Sequence, residues 1–156
     1  MTKIRRVLSK TNRRRPLEMV VEIEISCPLN ETEDRAKVEQ ALRNLIPLQK
    51  YSIKEIADHS YLYGRTSESK TLEVFYRKLR EQRILDASRK FLKQRDRGNL
   101  VSFSVHKQAA AVGKISFCQP EGESPLGAIT IRITSPQLES VINWLAPYTR
   151  EGKEVE

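Results

Sequence analysis

Apolar and polar positions alternate most clearly at the start of the patterned region. Met19, Val21, Ile23 and Ile25 share one parity, and Val20, Glu22 and Glu24 the other, the pattern of a half-buried strand. Cys27-Pro28 ends it. Asn30 to Asp34 offers cap candidates and first-turn acids for a helix, along which Val38, Ala41, Leu42 and Leu45 recur until Pro47. Tyr51 to Ala57 and Ser60 to Arg65 read as two short strands around Asp58-His59, with Tyr61 and Tyr63 on one face. Leu72, Phe75 and Leu79 mark the next helix. Its stripe continues through Ile84, Ala87 and Phe91 after a step of five, which predicts a kink or break near Arg83 to Asp86, with Asp86 as a cap. Gly98-Asn99 suits a C-terminal cap. Val101, Phe103 and Val105 alternate with Ser102, Ser104 and His106. Ile115 and Phe117 repeat the pattern beyond a connection at Lys107 to Gly113, and Pro120 to Gly127 reads as a loop. Ile129, Ile131 and Ile133 form a last strand. Ser135-Pro136 then opens a helix with the stripe Leu138, Val141, Ile142 and Leu145.

Strands in hairpin-like groups between helices predict an α+β fold: a single domain over residues 17–150, with a mainly antiparallel sheet covered by helices on one side. Residues 1–16 read as a flexible basic arm and 151–156 as a tail. The whole chain, 156 residues, is one domain's worth.

Charge changes this picture more than composition does. The net charge is +8, yet seven positives and no acid fall within Met1 to Pro16, leaving 21 basic and 20 acidic groups elsewhere. Within that balanced remainder, Arg77 to Lys107 holds ten Lys or Arg against Glu81, Asp86 and Asp96. Such local excess points to a polyanion partner, nucleic acid above all. At helical spacing Arg89, Lys90, Lys93 and Arg97 share a sector about 100° wide. With His106, Lys107, Gln108 and Lys114 they make the candidate RNA-binding set. The cations would serve phosphates, and Ser102, Ser104, His106 and Gln108 riboses or base edges.

Several runs resemble a known family. They are Pro28-Leu29-Asn30-Glu31-Thr32-Glu33-Asp34 with Ala41-Leu42-Arg43-Asn44-Leu45-Ile46-Pro47, Gln82-Arg83-Ile84-Leu85-Asp86-Ala87, Lys107-Gln108-Ala109-Ala110, Glu123-Ser124-Pro125-Leu126-Gly127 and Trp144-Leu145-Ala146-Pro147. Over about Met19 to Thr149 their order is similar to that in archaeal uncharacterised proteins labelled RNA-binding or exosome-linked. The resemblance implies a fold like the ribosomal large-subunit protein that holds the small ribosomal RNA. It also implies RNA as partner, with exosome- or ribosome-related proteins beside it.

Catalytic chemistry finds little support. Gly113-Lys114 is no P-loop, since Gln108 stands where the first glycine belongs and Ile115 where Ser or Thr should follow. His59 and His106 lack the His-x-Ser/Thr pattern of paired-histidine phosphoesterases. Glu31, Glu33 and Asp34 read as helix-start acids that complement the macrodipole, so no metal site and no cofactor is expected. Cys27 and Cys118 are too few for a disulfide framework or a cysteine zinc site. Trp144 reads as core, and Tyr61 and Tyr63 as hairpin packing or, if open, base-stacking surfaces. No apolar run approaches the ~20 residues of a membrane span, and no apolar segment follows the basic N-terminus, so the expected compartment is the cytoplasm. The expectation is a non-enzymatic RNA-binding protein. An interaction scaffold in an exosome-like or ribonucleoprotein assembly, including a homodimer, is the alternative. A nucleic-acid-processing enzyme is the third class.

Overall fold

In the computed structural model, residues 19–119, 127–150 and 153–154 are described. The strands are β1 (Glu22–Pro28), β2 (Ser52–Ile56), β3 (His59–Thr66), β4 (Leu100–His106), β5 (Phe117–Cys118) and β6 (Ala128–Thr134). They form one sheet in the order β2-β3-β1-β6-β4-β5, and every pairing is antiparallel. Among the described residues the helices are α1 (Arg35–Leu45), α2 (Glu73–Glu81), α3 (Leu85–Gln94), α4 (Lys107–Ala111) and α5 (Leu138–Leu145). The protein is therefore a single α+β domain, as its pattern predicts.

One parity of each central strand is buried: Ile23 and Ile25 in β1, Val101 and Val105 in β4, and Ile129, Ile131 and Ile133 in β6. These side chains meet Leu42 and Leu45 of α1, Phe75 and Leu79 of α2, Leu92 of α3, and Val141 and Ile142 of α5 in one continuous core. Burying each such side chain is worth about 1.5–3 kcal/mol. Phe75, Phe103 and Phe117 add ring contacts at 5.7–6.4 Å. Gly64 occupies a core-face position of β3 because a Cβ there would lie 2.8 Å from the Tyr51 ring. That ring cannot yield: its hydroxyl donates to Ile46 O and accepts from the Leu48 N–H.

The broken helix is two helices. Arg83 has a left-handed φ of +58°, and α3 restarts at Leu85. Asp86 lies in the first turn and makes no cap bond. Because the helical phase resets, the buried side of α3 is Leu85, Ser88 and Leu92, whereas Ala87 is exposed. Of the expected stripe through Ile84, Ala87 and Phe91, Ile84 and Phe91 pack half-buried against the core and Ala87 alone departs. Lys107 to Gly113 also departs from expectation, its first five residues forming α4 against α1, where Asn44 donates to Ala110 O at 2.9 Å. Asp34 caps α1 by accepting from the Ala36 N–H. Within the expected tail, Lys153–Glu154 (β8) pairs with Thr149–Arg150 (β7). Arg80 donates to Glu154 and to the carbonyls of Trp144 and Leu145, holding that hairpin. The basic arm at 1–16 and most of the loop at 120–127 lie outside the described residues.

Candidate nucleic-acid interface

Helix α3 turns its basic sector outward, but not all of it. Lys90 and Lys93 are exposed, and neither pairs with a carboxylate among the described residues. Arg89, at the edge of the sector, leans on α5. It donates to Asn143 Oδ1 at 2.8 Å and Ala146 O at 3.1 Å. Past the helix end, Asp96 Oδ1 accepts from the Gly98 N–H, and Gly98 has φ +95°, which turns the chain into β4. Backbone bonding of Arg97 N to Leu100 O closes that turn and leaves the Arg97 side chain exposed.

At the foot of the turn lies a groove of about 470 Å³, lined by Gln94, Arg95, Arg97, Ser102, Phe103, Ser104, Gln119 and Thr130. Arg95 stacks its guanidinium 3.4 Å from the centre of the Phe91 ring and donates to Phe91 O. The aromatic ring fixes this cation without neutralising it. Register brings three hydroxyls together: Ser102 pairs with Arg132 and Ser104 with Thr130, the Ser104 and Thr130 oxygens 3.4 Å apart.

Elsewhere on the open sheet face both arginines have carboxylate partners. Arg65 pairs with Glu22 at 2.9 Å, Arg132 approaches Glu24 at 4.0 Å, and Tyr63 donates to Glu24 at 3.0 Å. Lys54 lies over the Tyr63 ring at 3.6 Å. Burial together with the Glu24 carboxylate raises the Tyr63 pKa, so its phenol stays neutral. Among the described residues, Lys90, Lys93 and Arg97 at the α3–β4 end are thus exposed cations without a carboxylate, whereas Arg65 and Arg132 on the sheet have one.

The structure places the remaining candidates elsewhere. Lys107 is buried; its ammonium donates to Glu33 at 3.0 Å and to Pro28 O at 2.7 Å. Its charge is already engaged, so it is no free phosphate contact. Burial pushes the Glu33 carboxyl up, but the Asn30 N–H, Lys107 and the Asn30 side chain outweigh it and hold the pKa below the usual value. His106 ends β4 half-buried, Gln108 is exposed on α4, and Lys114 is exposed after Gly113. These residues lie toward the far end of β4, a strand about 20 Å long, from Arg97.

No pairing of histidines or cysteines emerges. His106 and His59 lie in strands separated by β6 and β1, about 14 Å across the sheet. Cys27 and Cys118 are buried in β1 and β5 and form no disulfide with each other, two strands lying between them. Burial pushes the Cys27 thiol up to about 12, leaving it neutral at pH 7. Among the described residues no His, Cys, Asp and Glu group is arranged to hold a metal, and no helix is long and apolar enough to cross a membrane. Trp144 is core, stacked on Tyr76 at 4.4 Å.

Sequence reasoning missed Arg95 and Thr130. Arg95 falls on the packing side of a helical wheel, and its role depends on the Phe91 ring. Thr130 joins the site only through the β4–β6 register.

A family model described as RNA binding matches residues 22–135. The chain belongs to this family. The chain is also 41% identical over 135 residues to a UPF0201 protein of Sulfurisphaera tokodaii, covering 86% of this chain and 90% of that protein. A UPF0201 protein of Pyrococcus horikoshii is 36% identical over 140 residues, covering 90% and 99%. The crystal structure of a UPF0201 protein from Methanococcus jannaschii superposes with a TM-score of 0.75 at 29% identity, covering 86% of this chain and 99% of that one. The family match spans β1 to β6 and so includes both α3 and the groove.

Proposed function

We infer that this protein binds RNA without chemical turnover, through the exposed side of α3 and the groove at its foot. One observation carries the reading: Lys90, Lys93 and Arg97 lie exposed without carboxylate partners among the described residues, Arg97 lining a groove with hydroxyls, while Arg65 and Arg132 on the sheet are paired. Cations on one exposed surface hold a phosphate backbone and release its counterions. Hydroxyls that both donate and accept suit ribose. The family's description as RNA binding supports the same partner. The separation of His59 from His106 supports a binding role over an acid–base mechanism. The experiment is a titration of a labelled RNA with the purified protein at several salt concentrations, with a hydrolysis assay alongside. Salt-dependent binding with intact RNA is expected. Absence of binding, or reproducible cleavage that is lost on changing His106, would overturn the reading.

A further inference from the structure

We propose that the α3–β4 groove encloses one unpaired ribonucleotide, so that the preferred partner is single-stranded RNA: an end, a loop or a bulge. This rests on the RNA-binding reading and specifies its ligand.

The argument begins with shape. Phosphates alone need only a charged surface, which a duplex satisfies as well as a single strand. Here the free cations of α3 lead through Arg97 into a concavity of about 470 Å³. That volume falls within the roughly 300–1,000 Å³ of sites that surround a small ligand. In an A-form duplex the bases are paired and stacked, so a protein surface meets the backbone, the 2′-hydroxyls and base edges in a shallow minor groove, and no base can be enclosed. An unpaired nucleotide can place its base and sugar inside.

Chemistry of the lining points the same way. Arg95 and Arg97 supply positive charge at the wall, and Arg95 is preset against Phe91. Bases splayed from single strands stack on guanidinium planes as they do on aromatic rings. The floor carries the exposed Ser102 and the half-buried Thr130, while Ser104 is buried with its hydroxyl 3.4 Å from that of Thr130. A ribose 2′-hydroxyl is both donor and acceptor, and such hydroxyls can answer it in either sense. Deoxyribose offers them nothing at that position. Among the described residues no carboxylate lines the groove to repel the phosphate that must accompany the sugar. The groove therefore selects an unpaired nucleotide and, through its floor, RNA over DNA.

The test uses the full chain and three labelled ligands of one sequence: single-stranded RNA, the blunt RNA duplex and single-stranded DNA, at one salt concentration. Single-stranded RNA should bind tighter than either other ligand by about tenfold, the ratio that corresponds to 1.4 kcal/mol. The Ser102→Ala, Thr130→Val variant should reduce the RNA-to-DNA ratio toward one. Ser102→Ala alone, at an exposed site, serves if the double variant unfolds. The Lys90→Ala, Lys93→Ala variant should weaken all three ligands and keep the ratio. Duplex binding equal to or tighter than single-strand binding would overturn the proposal while leaving RNA binding intact, as would an unchanged RNA-to-DNA ratio in the folded hydroxyl variants. Failure of all three ligands to bind would remove the RNA-binding reading itself.

Discussion

Lys107 holds its ammonium 3.0 Å from Glu33, with both side chains at least nine-tenths buried. This pair ties the junction of β4 and α4 to the segment before α1. Removing one partner strands the other charge away from water. Lys107→Ala should therefore cost about 3–5 kcal/mol in urea unfolding. The Glu33→Gln, Lys107→Met double variant should lose less than the two single changes together, since neither charge is left unpaired. Additive losses would show that the two groups are not coupled.

The same pair gives stability a pH dependence. The Glu33 carboxyl is depressed in the folded protein from a reference near 4.5. Its contribution is therefore fully present above that reference value and is lost as pH falls through the lower folded value. Melting temperature measured from pH 7 downward should drop in acid, and Glu33→Gln should flatten that drop. A parallel profile for Glu33→Gln would assign the acid sensitivity to other carboxylates.

Arg89 and Lys90 are adjacent in sequence and differ in what holds them. Arg89 bonds Asn143 and Ala146, whereas Lys90 is exposed. Arg89→Ala should lower stability by about 1.5–3 kcal/mol, the range for hydrogen bonds to a charged group. Lys90→Ala should stay within about 0.5 kcal/mol of the parent. Thermal denaturation of the two variants side by side checks both.

These contrasts show what could be read from the sequence. Strands were legible because period-two alternation, as in Ile129, Ile131 and Ile133, survives any neighbour. The basic character of α3 was legible too, because charge is a property of residue type. The partners of those charges were not. Arg89 and Lys107 look like Lys90 and Lys93 in sequence, yet Asn143 is 54 residues from Arg89 and Glu33 is 74 from Lys107. The core side of α3 is only partly legible: Ile84 and Phe91 do pack against the core, but one left-handed residue, Arg83, resets the helical phase, so that Leu85, Ser88 and Leu92 are buried and Ala87 is exposed. The groove was hidden for a related reason. Its floor depends on Ser104 facing Thr130 across a register that only the folded sheet sets.

The central claim is that the exposed cations of α3 and of the turn after it, rather than the whole basic stretch, hold the phosphate backbone. Its most direct test is the salt dependence of RNA binding by the Lys90→Ala, Lys93→Ala, Arg97→Ala variant. Each lost phosphate contact should reduce the slope of log K against log salt by ~0.7–0.9. The variant should thus bind more weakly, with a slope shallower by roughly two to three units on that basis, and its melting temperature should be nearly unchanged. A folded variant with unchanged affinity and an unchanged salt slope would contradict the account.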